Sequence, residues 1–163
     1  MTWRALIIED EAGSRGALEI LLGAAGFEVT SASSCAAARR AISAAASDDP
    51  LVASIDVAFV DLGLPDGDGL DLIAPLLALP HGSSVVVLSG EQKLERAVEA
   101  MRRGASDYLV KPLDGAGLRL LLQRIERELD ERDERRRLRR ELMAHGSYQG
   151  LVGRAPAMQA LYR

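Results

Sequence analysis

Cysteine is almost missing from this sequence: Cys35 stands alone, so the chain cannot form an internal disulfide, which fits a reducing compartment. By that residue's buried habit, Cys35 is expected to pack as a small side chain on a helix. An excess of positive charge is missing too. Twenty Lys and Arg against 24 Asp and Glu leave a net charge of −4, which gives no general attraction for nucleic acid, and no direct DNA contact by this chain is expected. No segment approaches the ~20 apolar residues that a membrane-spanning helix needs. The apolar stretch Ala5-Leu6-Ile7-Ile8 runs straight into Glu9-Asp10-Glu11, too short for a secretory signal, and a soluble cytoplasmic protein is expected. Internal repeats of solenoid length are not evident. A G-x-x-x-x-G-K-[ST] phosphate loop is also lacking, which excludes ATP hydrolysis by that route.

What is present is one alternating pattern. With 48% hydrophobic residues over 163 positions, the chain can bury one ordinary core and carry an extension, but hardly two full domains. Strand-length apolar runs, mostly rich in β-branched residues, occur at Ala5–Ile8, Phe27–Ala32, Val57–Val60, Val85–Leu88 and Tyr108–Val110. Between them apolar residues recur at helical spacing: Leu18, Leu21 and Leu22; Ala38, Ala41 and Ile42; Leu70, Ile73 and Leu77; Leu94, Ala97, Val98 and Met101. The alternation predicts βαβ units and a parallel sheet with helices on both faces. Gly26 and Gly104 punctuate the ends of the first and fourth helices. Residues 44–55, "SAAASDDPLVAS", are the least regular connection and read as a surface extension. A fifth helix should start near Asp114 and carry Leu118, Leu121, Leu122, Ile125 and Leu129 on one side. Every residue from Asp130 to Arg137 is charged, and the pairs Glu128 with Arg132, Glu131 with Arg135 and Asp133 with Arg137 support a continuous solvated helix. As a coiled-coil seam this section is poor, although a dimer contact through it stays open.

In an open parallel sheet the C-terminal strand ends share one edge, where ligands bind. The sequence places polar residues at those ends: Glu9 and Asp10 after the first strand, Asp61 at the end of the third, Ser89 after the fourth and Lys111 after the fifth. Singly, these residues suit caps and turns. Gathered, the three carboxylates would repel one another and raise their pKa values unless a cation sits among them. Magnesium suits carboxylates plus one backbone carbonyl, which Gly63 is placed to offer. Lys111 and Ser89 would then serve two phosphate oxygens. A calcium loop in "DGDG" is excluded, because counting from Asp66 the fifth and twelfth positions are Leu70 and Leu77. Asp66 and Asp68 instead read as turn and helix-start residues.

"IIEDE", "VDLGLPDGDG", "LSG" and "DYLVKP" resemble, in order and spacing, the receiver domain of two-component response regulators over roughly residues 4–126. The resemblance implies a doubly wound α/β fold of flavodoxin type, five parallel strands in the order 2-1-3-4-5, with a C-terminal helical linker. It implies that Asp61 accepts a phosphoryl group from the phosphohistidine of a sensor kinase. Glu9, Asp10, Asp61 and the Gly63 carbonyl match the magnesium ligands; Lys111 and Ser89 match the catalytic lysine and switch hydroxyl; Tyr108 matches the switch aromatic. The peptide before Pro112 matches one that is often cis in such domains. The 51 positions from Asp10 to Asp61 exceed the family's usual spacing, as an insertion at 44–55 would require, and Glu9 stands where aspartate is commoner.

The last stretch, "GLVGRAPAMQALYR", is similar to the opening of the AAA+ domain in nitrogen-regulator-type, sigma-54-dependent activators. The expected organisation is a receiver over 1–126, a charged linker helix over 127–146, and the truncated start of an ATPase over 147–163. An AAA+ domain and a DNA-binding domain are expected to follow in the intact protein. The resemblance also implies a homodimer through the fourth helix, fifth strand and fifth helix, or through the linker, with no activity beyond phosphorylation and dephosphorylation at Asp61. Two other classes compete: a stand-alone protein-binding receiver, and an aspartate-nucleophile phosphatase. The latter usually carries a second aspartate where this chain has Gly63.

Overall fold

A computed structural model describes residues 2–47, 54–90 and 93–148. The chain divides into two compact units, Met1–Leu120 and Leu121–Arg163. In the first, strands β1 (Arg4–Ile8), β2 (Glu28–Ala32), β3 (Val57–Asp61), β4 (Ser84–Ser89) and β5 (Asp107–Val110) form one parallel sheet in the order β2-β1-β3-β4-β5. This is the doubly wound, flavodoxin-like order that the resemblance implies. The central strands read as nearly continuous apolar runs because both of their faces are covered, and all five residues of β3 are buried. Strand β2, "EVTSA", lies at an edge and exposes most of its side chains. Its polar residues fit that place.

Side-chain alternation divides the core into two layers. Leu6, Ile8, Ala58, Val60, Val85 and Val87 point to one face, into a cluster with Ala38 and Ile42 of helix α2 (Cys35–Ala45) and Ile73 and Leu76 of α3 (Ile73–Leu77). Ile7, Phe59, Val86 and Leu88 point to the other face, and helix α1 (Ala12–Ala24) packs against β1 and β2 through a side that buries Leu18 and Leu22. Gly26 and Gly104, at φ of 94° and 103°, end their helices in the left-handed conformation that the sequence assigns to them.

Three expectations are revised. The spacing at Leu70, Ile73 and Leu77 fails at its last member, because Gly69–Leu72 forms a 3₁₀ turn before α3. Three residues per turn move the buried phase to Leu70, Ile73 and Leu76, leaving Leu77 exposed. In α4 (Leu94–Arg102), the stripe Leu94, Val98 and Met101 is not core: these residues are 78%, 39% and 48% exposed. The helix approaches the core through Ala100 instead, which is fully buried. Residues 44–55 begin with regular helix, since α2 continues to Ala45, while residues 48–53 of that segment lie outside the described residues.

The fifth helix, α5 (Gly115–Tyr148), is one continuous element of 34 residues through the charged run. Leu121, Leu122, Ile125 and Leu129 are buried, while Leu138, Leu142 and Met143 are exposed. Ion pairs along it include Arg124 with Glu128 at 3.7 Å and Arg137 with Glu134. Among the described residues no helix is long and apolar enough to cross a membrane. Residues 149–163, most of the stretch read as an ATPase start, lie outside the described residues.

Candidate functional site

The sheet carries each candidate residue to one edge. Backbone ladder bonds continue one residue beyond the strands: Glu9 N–H donates to Ala32 at 3.0 Å, Leu62 N–H to Leu88 at 3.1 Å and Lys111 N–H to Ser89 at 2.8 Å. These bonds fix the main chain beside Glu9, Asp61, Ser89 and Lys111. The edge at β1 and β3 is also where strand order reverses, the usual place for a crevice in such sheets.

Glu9, Asp10 and Asp61 converge there, each offering a carboxylate oxygen within 4.8 Å of the others. Glu9 is fully buried, Asp61 is 6% exposed, and Asp10 faces solvent. Lys111 reaches in from the β5 end, donating to Glu9 Oε2 and lying 3.5 Å from Asp61 Oδ2. The peptide bond between Lys111 and Pro112 is cis, as the resemblance implied. Gly63 lies beside the cluster, its N–H donating to Asp61 Oδ1 at 3.2 Å. Ser89 is buried at the neighbouring strand end, one residue past the Leu88 that pairs with Asp61. Tyr108 stands apart from the acids: it is half-buried on β5 and packs against the apolar cluster.

Electrostatics show which ligand chemistry the site suits. Burial pushes the Glu9 carboxyl above the usual carboxylate range, and the charge of Asp61 adds to the rise. Hydrogen bonds from Lys111 and the Glu11 N–H offset it only in part. Burial alone would lower the Lys111 ammonium, but its bond to Glu9 and the charges of Asp61 and Glu9 hold it above the usual lysine range. Lys111 therefore stays cationic, yet one ammonium faces three acids. Hard oxygen donors with an excess of negative charge fit a divalent cation such as magnesium.

Four more residues in the neighbourhood make contacts that hold the site's surroundings. The Arg15 guanidinium donates to the backbone carbonyls of Glu9 at 3.0 Å and Asp10 at 3.3 Å, fixing the acidic turn from α1. Asp66 accepts from the N–H groups of Cys35 at 2.7 Å and Ala36 at 2.9 Å, so it caps α2 from 31 residues away. Those bonds hold its carboxyl below the usual range. Asp68 accepts from Leu70 N–H at 3.0 Å and takes both arms of Arg96. Gly69 presses on the Asp61 backbone, where an added Cβ would lie 2.3 Å from the carbonyl oxygen. The second glycine of "DGDG" hinted at this last contact, and the helix-start reading of Asp68 agrees with its bond to Leu70 N–H; nothing in the order of residues pointed to its pair with Arg96 or to the contacts of Arg15 and Asp66.

Residues 5–123 match the response regulator receiver domain family. The chain is 35% identical over 108 residues to the DNA-binding transcriptional regulator NtrC of Azospirillum brasilense, covering 66% of this chain and 22% of that protein. It is 30% identical over 155 residues to the regulatory protein AtoC of Escherichia coli, covering 95% of this chain and 32% of that protein. Thus it spans between about a fifth and a third of the curated relatives it matches. A crystal structure of a response regulator protein from Burkholderia pseudomallei, with a phosphorylated aspartic acid, calcium ion and citrate, superposes with a TM-score of 0.62 at 25% identity. That match covers 89% of this chain and 86% of the other.

Proposed function

Because this chain belongs to the response regulator receiver domain family, we propose that Asp61 is its phosphoacceptor and that a sensor histidine kinase is its donor. The observation that carries this reading is the position of Asp61. It is nearly buried at the carboxyl edge, 3.5 Å from a lysine held cationic, with Glu9 and Asp10 alongside. A carboxylate oxygen of Asp61 attacks phosphorus in line, the P–N bond to the kinase histidine breaks, and the imidazole leaves with the bonding electrons. Lys111 pairs with a phosphoryl oxygen and swings part of its charge away from Glu9. Glu9, Asp10, Asp61 and the Gly63 carbonyl would hold magnesium, which supplies neutralisation of phosphoryl oxygens. The Ser89 hydroxyl donates to the new phosphoryl group, and Tyr108 moves into the space released, biasing the surface of α4, β5 and the start of α5.

The organisation proposed for the whole protein is a receiver over 1–126, a linker helix over 127–146 and an ATPase beginning in 147–163, acting in sigma-54-dependent transcription. Identity to AtoC over 95% of the chain supports it, since that alignment runs past the receiver. No nucleic acid contact is assigned to residues 1–163.

Binding of beryllofluoride with magnesium, measured by calorimetry, tests the acceptor. Wild type should bind and Asp61→Asn should not; equal binding by the variant rejects the assignment. Acetyl phosphate should likewise label wild type at Asp61 alone, as read by mass spectrometry.

A further inference from the structure

We propose that Asp68 and Arg96 form an electrostatic latch that fastens α4 to the loop that follows the acceptor, so that the two move as a coupled unit. Asp68 lies on the loop after Asp61 in a two-residue ladder, where it pairs with Gly63, the residue beside the acceptor. Its neighbour Gly69 is pressed against the Asp61 carbonyl. The loop therefore cannot shift at Asp68 without disturbing the site. On the other side Arg96 is in the first turn of α4, and its two terminal nitrogens each lie 2.9 Å from a different oxygen of Asp68. Such a two-pronged pair fixes orientation as well as distance, which a single lysine contact does not.

The apolar hold on α4 is small. Only Ala100 among that helix's residues is buried, and its large apolar side chains face outward. Lys93, at its N-cap, has a donor side chain that cannot accept from the first-turn N–H groups. A second tie, Arg103 to Asp71 at 3.0 Å, joins the far end of α4 to the same 3₁₀ turn but is more exposed at its acidic end. With so small an apolar anchor, directional charge pairs set where α4 rests.

The inference rests on the proposed phosphoacceptor only in taking α4 as the surface that responds. Hydrogen exchange of the full chain, without magnesium or phosphate, tests the latch directly. In Asp68→Asn and in Arg96→Gln the α4 amides should exchange about threefold faster while β3 amides are unchanged. The double variant should be no faster than the faster single one. Raising salt to about 1 M should speed α4 exchange more in wild type than in the variants, which keep only the Arg103–Asp71 tie. Unchanged α4 exchange, multiplying effects in the double variant, or an equal rise in β3 overturns the latch. With beryllofluoride and magnesium added, the α4 exchange response of Arg96→Gln should fall to less than about half that of wild type; a full response also overturns it. If wild type binds no beryllofluoride, the acceptor reading fails, while the exchange measurements still decide the latch.

Discussion

Gly69 shows how much a single missing methyl matters at the site. An added Cβ would lie 2.3 Å from the Asp61 carbonyl oxygen and 3.0 Å from Val60 Cγ1, both on a strand that cannot retreat. Gly69→Ala should therefore destabilise by about 1–3 kcal/mol, the usual range for overpacking, and weaken beryllofluoride binding at the same time. Gly16→Ala on α1 is the contrasting case, because nothing lies within 4 Å of its added Cβ. It should stabilise by about 0.5–1 kcal/mol with binding unchanged. Thermal melts and titration of both variants check the pair. At this scale the sequence was partly legible. Glu9, Asp10, Asp61 and Lys111 could be named from their place after apolar runs, whereas Arg15 sits in α1 with no local sign that it holds two carbonyls.

Helix α2 has a start built from two distant sources. Ser34 accepts from Ala37 N–H at 3.1 Å, as a local cap should, and Asp66 takes the two preceding N–H groups from across the sheet edge. Ser34→Ala should cost about 1 kcal/mol and lower the melting temperature by a few degrees. Asp66 makes the pH dependence specific. Its folded pKa is depressed by the Ala36 and Cys35 N–H bonds, so the stability it contributes is fully present above the unfolded value and is lost as pH falls through the folded one. The gap in urea midpoint between wild type and Asp66→Asn should then be constant near neutrality and close in acid below about pH 4. A gap that persists unchanged at the lowest pH rejects the assignment. Helix periodicity located α2 and α4 but left open which side of α4 is buried. Amphipathic spacing reports that a stripe is apolar, and it does not say whether that stripe meets the core or a partner.

For the whole molecule, exposed Leu94, Val98 and Met101 on α4 give the receiver an apolar surface that its own core does not use. Light scattering should report a change in mass when beryllofluoride and magnesium are added to wild type and none for Asp61→Asn. An unchanged mass in wild type rejects dimer control through this surface. The sequence by itself determined the order of strands and helices and the acidic edge, because apolar runs, glycine stops and polar strand ends are local signals set by each residue's own chemistry. Tertiary structure decided the rest: Asp66 on α2 across 31 residues, Asp68 on Arg96 across 28, and the outward turn of the α4 stripe. Those depend on where loops bring side chains together in space, and a carboxylate's partner across such a distance leaves no periodicity along the chain.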